Sequence, residues 1–400
     1  MRIGMLVDVY KPHVSGITKY IELNKRYLEK LGHDVHIFTF GEGETIGSES
    51  RVYHSPGLPL VDTGYYVSFR YTQEVQNVLH TMDLVHVHHP FLSGRLALRY
   101  CKPRNIPIIF TNHTRYDLYA KAYIPALPDG VGESFLKAYL PSFCHDVNMV
   151  IAPSPGLKSV LENLGVDVPI EVIPNGVDLS AFRGEIQAVD RTEIGFHHED
   201  VLFIYAGRLG PEKNLPFLLR SFKGAAQAYD NIGLIIVGDG PERDNLEDRV
   251  RYMKIHDRIH FTGMVPYNRV ANYLVMGDVF ATASVTEVHP LSVIEAMAAG
   301  LPVLGIDSPG VGDTIEDSVS GLISPEEDLA MFTAKMVRMI SDQELRREMG
   351  VQARETSNNY AIENTTRIME ALYEEVVSQS IRRKRTLRAR ISQFVGRWRN

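Results

Sequence analysis

The sequence has few cysteines, and it lacks any apolar run of the length that spans a membrane. Only Cys101 and Cys144 are present, far apart, which argues against a disulfide framework or a cysteine zinc site and fits a reducing cytosol. No apolar stretch approaches the roughly 18 residues of a spanning helix, and residues 1–8 are typical of a first strand rather than of a signal peptide. We therefore expect a cytoplasmic protein.

Internal repeats and low-complexity segments are also lacking. With 400 residues, 44% of them hydrophobic and 23% charged, the chain has the composition of a globular protein of two to three domains. Short apolar runs alternate with helical patterns in both halves, and this βαβ order implies parallel sheets. The pattern predicts an α/β protein with two tandem Rossmann-like, doubly wound domains.

One stretch places two carboxylates, Glu287 and Glu295, around the start of a predicted helix. Pro290 suits its first position, and Gly300 suits its end. Two faces are predicted for this helix: a buried one with Ile294, Met297 and Ala298, and one towards a cleft with Leu291, Ser292 and Glu295. Free amides beside carboxylates suit a ligand with hydroxyls and an anion, such as a phosphorylated sugar. The alternative is a surface glutamate beside an ordinary buried helix.

The segment Glu287-Val-His-Pro-Leu-Ser-Val-Ile-Glu295, followed by Ala-Met-Ala-Ala-Gly-Leu-Pro-Val303, resembles the signature of the retaining nucleotide-sugar glycosyltransferases of family 4, group 1. The resemblance implies the GT-B fold, in which two domains face a cleft. It places Glu287 near the sugar ring as a catalytic residue. It also implies no cofactor and no metal, since the nucleotide sugar is a substrate. The donor-binding residues implied here are His289, Pro290, Leu291, Ser292 and Glu295, the last near the ribose.

The resemblance, together with the turn-rich residues 174–178, also suggests how the chain is divided. The last helix of GT-B proteins crosses back to the first domain. We expect an acceptor-side domain at 1–178, a linker at 179–199, a donor domain at 200–359, the crossing helix at 360–381 and a separate tail at 382–400.

A second motif, Gly207-Arg-Leu-Gly-Pro-Glu-Lys-Asn214, follows a predicted strand and matches the family's Gly-Arg-Leu-x-x-Glu-Lys-Asn. Arg208 and Lys213, at the carboxyl end of a parallel strand, would face the crevice where ligands bind such sheets. The resemblance assigns them the diphosphate of the donor. Two solvated surface cations are the alternative. Val265, just before Pro266, resembles the loop that brackets the base.

The loop between the first strand and the first helix contains Gly16, which lets the backbone approach a phosphate at the helix N-terminus. No Gly-x-Gly-x-x-Gly follows this strand, so a dehydrogenase is the least favoured function. The family usually has two adjacent glycines here. This chain has Ser15-Gly16, so only Gly16 is carried over as a donor-binding residue, with a plain turn glycine as the alternative.

Histidines occur on one predicted strand of the first half and after the next one. His86 and His88 lie on the same face of one strand, which allows either two metal ligands or packed, hydrogen-bonded rings; the second reading is favoured because no carboxylate or cysteine stands nearby. His113 follows the apolar run 106–110 and should lie at the crevice. The resemblance assigns His113 a catalytic contact with the transferred sugar, and a structural histidine is the alternative.

The segment after His113 is similar to that of diacylglycerol glycosyltransferases. Tyr116, Tyr119 and Tyr123 fall on one side of a helix and would line an acceptor groove, or else belong to the core. The resemblance suggests UDP-glucose as donor and a membrane lipid such as diacylglycerol as acceptor. The alternative is transfer of mannose or another hexose to phosphatidylinositol or a soluble sugar. A nucleotide-sugar epimerase and a non-catalytic binding protein are the competing functions.

The end of the chain is strongly basic. Residues 381–400 carry eight Arg or Lys and no acidic side chain, so the rest of the chain has a net charge of −15 against −7 overall. A helix here would have an apolar stripe flanked by arginines, as in helices that lie in a membrane interface. A basic disordered tail and a helix packed on the acidic body are alternatives; nucleic acid is not expected, because the acidic remainder would repel it. The residues expected to contact an anionic membrane are Arg385, Arg388, Ile391, Phe394 and Trp398.

Overall fold

The computed structural model describes residues 1–13, 15–41, 49–60, 66–116, 118 and 131–397. Of residues 131–133, 135–136 and 383–397, only the backbone is described. Two parallel sheets dominate the structure, one in each half of the chain, and helices follow nearly every strand. The predicted fold class, two tandem doubly wound α/β domains, is confirmed.

The first sheet has seven parallel strands in the order β3-β2-β1-β6-β7-β8-β9. They are β1 (Arg2–Leu6), β2 (Asp34–Phe40), β3 (Val52–Ser55), β6 (Leu84–Val87), β7 (Ile108–Thr111), β8 (Met149–Ala152) and β9 (Ile170–Val172). A separate antiparallel ribbon pairs β4 (Leu58–Pro59) with β5 (Tyr66–Val67). The helices of this half are α1 (Gly16–Lys30), α2 (Gln73–Leu79), α3 (Leu92–Tyr100), α4 (Val131–His145) and α5 (Pro155–Asn163).

The second sheet has six parallel strands in the order β12-β11-β10-β13-β14-β15. They are β10 (Val201–Ala206), β11 (Ile232–Val237), β12 (Ile259–Gly263), β13 (Val279–Ala281), β14 (Val303–Ile306) and β15 (Gly321–Ser324). Its helices are α6 (Leu215–Ala226), α7 (Arg243–Met253), α8 (Tyr267–Leu274), α9 (Leu291–Ala298), α10 (Val311–Thr314), α11 (Leu329–Ser341) and α12 (Gln343–Ser357).

Each sheet is buried on both faces, which is why its strands are nearly continuous runs of Ile, Val, Leu and Phe. The strand order reverses between β1 and β6 in the first sheet and between β10 and β13 in the second. Ligands of open α/β sheets bind outside the carboxyl ends of strands at such reversals. The loops that follow these four strands are therefore the places where functional residues are expected.

The last helix, α13 (Ile362–Arg397), leaves the second half and packs on the first sheet. Met369, Leu372, Tyr373 and Val376 lie in the same apolar cluster as Ile3 of β1. Where the chain passes between the halves, the amide of Val177 donates to the carbonyl of Tyr360, and that of Ile362 donates back to Val177, each at 2.9 Å. The sequence-based domain bounds remain a prediction, although Phe196 of the expected linker already packs in a core of the second sheet.

The basic segment after residue 381 is helical and continues the crossing helix without a break. Residues 362–397 form one continuous helix, because no glycine or proline interrupts the helical pattern at 381–382 and helix formers continue on both sides. Among the described residues, no helix combines the length and the apolar character that crossing a membrane requires.

Candidate active site

Residues of the two halves meet at the facing carboxyl edges of the sheets. The ammonium of Lys19, on α1, lies 4.1 Å from the ring centroid of Tyr267, at the start of α8. The amide of Gly156, at the start of α5, donates to a carboxylate oxygen of Asp313 on α10 at 2.7 Å. Val288 packs with apolar side chains of the first sheet. The cleft between the two edges is therefore lined by residues of both halves.

The main polar contact at the second sheet joins Lys213 to Glu287. Lys213 follows β10 and Glu287 follows β13, the two strands between which the order reverses. Nζ of Lys213 lies 2.5 Å from Oε1 of Glu287, and the side chains are 20% and 21% exposed. Burial by itself would lower the pKa of Lys213, but the charge of Glu287 more than offsets it, so the pKa is raised above its ordinary value. Lys213 therefore stays cationic at neutral pH.

Two loops are tied together beside this pair. The hydroxyls of Ser284 and Thr286 both donate to the carbonyl of Glu212 at 3.2 Å, which fixes the β13 loop against the β10 loop. The Glu212 carboxylate is buried and lies 3.6 Å from the guanidinium of Arg208, whose side chain is 51% exposed. Arg208 therefore has a fixed partner on one side and reaches solvent on the other. Burial, and then the nearby charge of Arg208, lower the pKa of His13 in the first half of the chain.

Helix α9 begins one residue later than predicted. Pro290 is the N-cap, with an extended ψ of 117°, and its carbonyl accepts from the amides of Val293 and Ile294. A proline satisfies this position as well as the first helical one, because neither needs an amide hydrogen. Gly300, at φ +86°, follows the helix as expected. The first turn of α9, with Leu291 and Ser292 half-buried, thus begins four residues after Glu287.

Glu295 lies one turn inside α9 and is 7% exposed. The Tyr267 hydroxyl donates to its Oε1 at 2.6 Å, and Lys19 covers the Tyr267 ring. Burial raises the pKa of Glu295 to about 7, only partly offset by the hydrogen bond from Tyr267 and the charge of Lys19. The carboxyl group is therefore poised to change charge near neutral pH.

The His289 ring contacts an aromatic residue that precedes the last helix. It packs edge-on against Tyr360 with ring centroids 4.9 Å apart, and its carbonyl accepts from the side-chain amide of Asn175 at 2.9 Å. Burial lowers the pKa of His289 to about 4. Its donor-binding role remains a prediction, as does that of Val265, which is partly buried against the second core while the preceding Met264 is 74% exposed.

Gly16 is the first residue of α1. Ser15 is the N-cap, and Ser15 and Thr18 form a reciprocal capping box. A side chain at Gly16 would meet nothing within 4 Å, so this helix N-terminus opens onto free space. The contact of Gly16 with a phosphate remains a prediction.

The histidines of the first sheet form a buried hydrogen-bonded group. His86 is bonded through Nδ1 to the Tyr373 hydroxyl and through Nε2 to the Thr111 hydroxyl, each at 2.6 Å. Nδ1 of His88 lies 3.0 Å from Nε2 of His113, which is partly exposed. Burial lowers the pKa of all three rings, to about 3 for His86 and well below the ordinary value for His88 and His113. His113 is therefore neutral at pH 7.

The remaining predicted residues are described in part. The Tyr116 ring packs edge-on against Phe91 with centroids 5.2 Å apart; Tyr119, Tyr123 and Trp398 lie outside the described residues. Arg385, Arg388, Ile391 and Phe394 lie on α13. Within the described part of the chain, no group of three or more His, Cys, Asp or Glu side chains is arranged to hold a metal ion.

Sequence reasoning missed three residues of this site and gave a fourth, His88, no part in it. Glu212 stood in the matched motif without a role, and Lys19 and Tyr267 carried no motif that pointed to the cleft. Gly210 was the available signal for Glu212, because a side chain at position 210 would overlap the Glu212 carboxylate. For the other three, only the packing of elements distant in sequence brings them to the site.

The fold and the site define a glycosyltransferase with two facing Rossmann-like domains. A family model described as "Glycosyl transferases group 1" matches residues 187–356, and one described as "Glycosyltransferase Family 4" matches residues 14–181. Together they cover every strand of the two sheets except β1.

Three curated proteins are similar to most of the chain. An α-monoglucosyldiacylglycerol synthase of Streptococcus pneumoniae is 31% identical over 341 residues, which are 82% of this chain and 77% of that protein. A synthase of the same name from Acholeplasma laidlawii is 26% identical over 95% of this chain and 98% of its own length. One subunit of the phosphatidylinositol N-acetylglucosaminyltransferase of Arabidopsis thaliana is 25% identical over 82% of this chain and 72% of that protein.

Solved structures show the same fold. A sucrose-phosphate synthase from Thermosynechococcus elongatus superposes with a TM-score of 0.77 at 20% identity, covering 94% of this chain and 99% of that one. The Anabaena protein HepE, in complex with UDP-glucose, superposes with a TM-score of 0.70 at 17% identity over 95% and 100% of the two chains. The chain belongs to the group 1, family 4 glycosyltransferases with the GT-B fold, and it is a hexosyltransferase.

Proposed function

We propose that the chain transfers a hexose, glucose in the simplest case, from a nucleotide diphosphate sugar to a membrane lipid such as diacylglycerol, with retention of the anomeric configuration. The observation that carries the proposal is the Lys213–Glu287 pair, which holds a largely buried cation and a carboxylate at the cleft. The names of two similar proteins, both α-monoglucosyldiacylglycerol synthases, support glucose and a lipid acceptor.

Stabilisation of the leaving group is the task that we assign to Lys213, Arg208 and the N-terminus of α1 at Gly16. Negative charge grows on the diphosphate as the glycosidic bond breaks. Cations and amide dipoles that already point towards the diphosphate stabilise the transition state more than the ground state. Arg208 is half exposed and Lys213 is held cationic by Glu287, so both are ready before the donor binds.

Glu287 is assigned to the sugar ring. Its carboxylate is held by Lys213 at the end of β13, three residues before the N-cap of α9. Two retaining routes are compatible with one such carboxylate: double displacement through a covalent intermediate, and same-face attack in which the leaving phosphate takes the acceptor proton. In double displacement the acceptor oxygen replaces Glu287 at the anomeric carbon and its proton passes to the diphosphate that left in the first step. In same-face attack the acceptor oxygen replaces the diphosphate directly, and the diphosphate takes the proton.

The nucleoside is assigned to Glu295 and its surroundings. Two ribose hydroxyls are hydrogen-bond donors, and an ionised carboxylate accepts from both. The Tyr267 hydroxyl donates to Oε1 of Glu295 at 2.6 Å. A carboxylate has about four acceptor positions on its two oxygens, so Glu295 can accept from a bound ribose as well as from Tyr267.

His113 is assigned to the transferred sugar from the opposite edge of the cleft. Because burial keeps its ring neutral, it would contact a sugar hydroxyl as an uncharged hydrogen-bonding group and not as a general acid. Tyr116, three residues further on, begins the segment in which we place the acceptor groove.

Access to a lipid that stays in the bilayer is assigned to the end of α13. This helix packs on the first, acceptor-side half through Tyr373 and Val376, and its continuation carries the basic residues 382–397. About 1 kcal/mol for each basic residue near an anionic surface makes this segment a strong membrane contact. The helix would then hold the protein peripherally at the membrane, with the acceptor-side half next to it.

A second acceptor class is favoured by one comparison. The Arabidopsis thaliana relative is named for transfer to phosphatidylinositol, and it is similar over 82% of this chain. Phosphatidylinositol presents an anionic headgroup with several hydroxyls, whereas diacylglycerol presents one neutral hydroxyl. The two acceptors therefore differ in charge at the point of attack.

The experiment that tests the proposal is a donor and acceptor screen with the purified full chain. Release of UDP and of GDP is measured from a panel of nucleotide sugars, without vesicles and with vesicles containing diacylglycerol or phosphatidylinositol. We expect UDP release from UDP-glucose that increases with diacylglycerol. Nucleotide release that no lipid stimulates, or formation of an epimer without an acceptor, would overturn the proposal.

A further inference from the structure

A buried histidine, His88, lies directly behind His113 and has no part in the mechanism above. His88 follows β6, is fully buried, and its amide donates to the carbonyl of Leu6 on β1. Its Nδ1 lies 3.0 Å from Nε2 of His113, which follows the neighbouring strand β7. The two rings therefore share one hydrogen bond, and one of them must donate it.

The surroundings of His88 decide which ring is the donor. Nε2 of His88 is buried and has no hydrogen-bond partner among the residues that the structure describes. A proton on Nε2 would be a buried donor without an acceptor, which is unfavourable, whereas a bare lone pair there is tolerated better. A neutral imidazole carries one proton, so that of His88 belongs on Nδ1 and is donated to Nε2 of His113.

His113 must then carry its own proton on Nδ1. This nitrogen makes no hydrogen bond with any described residue, and the ring is partly exposed. Burial, and then the neighbouring histidines, keep both rings neutral, so the pair holds two protons and no net charge. The Nδ1–H of His113 is thus an unused, uncharged donor at the cleft.

We propose that His88 is a positioning residue that fixes His113 in the Nδ1–H tautomer, so that this N–H donates to an oxygen of the transferred sugar. The proposal rests on the proposed function, since that assigns His113 to the sugar. His88 itself does not touch substrate. It acts through His113, in the way that the hydrogen-bond partner of one ring nitrogen sets the tautomer of a histidine.

Neighbouring rings restrict the rotation of this pair. The His86 ring lies against His88 with centroids 4.2 Å apart, and both His86 nitrogens are hydrogen-bonded, to Tyr373 and Thr111. Tyr20 packs edge-on against His113 with centroids 4.8 Å apart. Rotation of His88 that moved Nδ1 away from His113 would have to displace these contacts.

The tautomer is measured directly by long-range ¹H–¹⁵N correlation spectra of the full chain labelled at histidine. A His113→Ala variant identifies the signals of His113. We expect His113 as the Nδ1–H form in the unmodified protein. A His113 in the Nε2–H form would overturn the proposal, and this result does not depend on any variant of His88 folding.

Kinetics of three His88 variants test the functional part. His88→Leu removes the hydrogen bond to His113. His88→Gln places its amide near the position of Nε2 of His88, which does not face His113. Each variant should lower kcat by about tenfold to a hundredfold with little change in KM for the nucleotide sugar. His88→Asn places an amide N–H near the position of Nδ1 and should restore most of kcat. Equal losses in all three variants would indicate a packing role only and would contradict the proposal.

Two controls separate the possible failures. His145→Asn changes an exposed histidine paired with Asp167 at 3.1 Å and should leave kcat unchanged. If His113→Ala retains normal kcat, the assignment of His113 to the sugar fails, and the directed contact proposed for its Nδ1–H fails with it. If His113→Ala is impaired while the His88 variants are normal, the proposed function stands and the role of His88 is refuted.

Discussion

The two edges of the cleft reach their geometry in different ways. On the second sheet, Lys213 and Glu287 come from two neighbouring strand ends and neutralise one another directly. On the first sheet, His113 is held by His88 and Tyr20, and no charged side chain among the described residues pairs with it. The edge of the second sheet thus depends on charge that is in place beforehand, whereas the edge of the first sheet depends on the orientation of neutral rings. Variants of the two edges should therefore fail in different ways.

The largest effect is expected at the edge of the second sheet that carries Lys213 and Glu287, the charged edge. Lys213→Ala and Glu287→Ala should each lower the rate of transfer by at least about a hundredfold, comparable to the loss of one preorganised charge stabiliser. The measurement is steady-state release of the nucleotide by each purified variant. Near-normal turnover in either folded variant would contradict the assignment of this edge to the diphosphate and the sugar.

A matched control for this pair lies on the surface. Lys102 and Asp146 form an ion pair at 2.5 Å with side chains 53% and 43% exposed. Such exposed pairs contribute about 0–1 kcal/mol, so Lys102→Ala should change neither turnover nor folding appreciably. If Lys102→Ala lost as much activity as Lys213→Ala, the loss in Lys213→Ala would not be specific to the cleft.

The charged edge was predictable because its residues stand in short motifs. The motif 207–214 and the two glutamates eight residues apart each identify a strand end and a helix start within one stretch of chain. The ion pair itself was not predicted, since Lys213 and Glu287 lie 74 residues apart and meet only because β10 and β13 are neighbours. The parallel sheets could be predicted from short apolar runs that alternate with helical patterns. The strand β9 was not predicted, because it is only three residues long and its middle residue, Glu171, is exposed.

The edge of the first sheet was predictable only as a list of candidates. His86, His88 and His113 were visible, yet nothing in the spacing showed that His86 pairs with Tyr373, which is 287 residues away on α13. The pKa of Glu295 was equally hidden, because it depends on burial and on Tyr267 from another element. Contacts between distant elements, rather than local pattern, determine these properties.

The next largest effect is expected from removing the basic end of α13. Deletion of residues 382–400 should abolish binding to anionic vesicles and lower activity on lipid acceptors, while slow hydrolysis of the sugar nucleotide persists at the intact charged edge. The helix up to Ile381 stays, so its packing on the first sheet is kept. Co-sedimentation with vesicles at low and high salt is the measurement, and unchanged binding of the truncated protein at low salt would refute the membrane role.

A moderate effect is expected from the titration of Glu295. Its pKa of about 7 in the folded protein exceeds the value of about 4.3 in an unfolded chain, so the folded state binds the proton more tightly. Stability therefore falls as the pH rises from about 4.3 to 7, by at most about 4 kcal/mol. Glu295→Gln should remove this part of the pH dependence. Unfolding midpoints at pH 5 and pH 8 that shift equally in both proteins would contradict the assignment.

The smallest effect is expected in overall shape. The two edges act on one substrate only if they approach, and the crossings at Val177 and Ile362 are the places where the halves are joined. Donor plus acceptor lipid analogue should therefore shift the scattering profile towards a more compact particle. Identical profiles with and without the ligands would indicate that the cleft of the free protein already has its working width.

Analysis of the reaction product tests the central claim most directly. The full chain is incubated with UDP-glucose and vesicles of diacylglycerol with anionic lipid, and the lipids are examined by mass spectrometry and NMR. The account predicts a monoglucosyl diacylglycerol with the anomeric configuration of the donor, formed in step with UDP and at least about a hundredfold more slowly by Lys213→Ala. A glucolipid of inverted configuration, or UDP released with free glucose and no glucolipid, would contradict it.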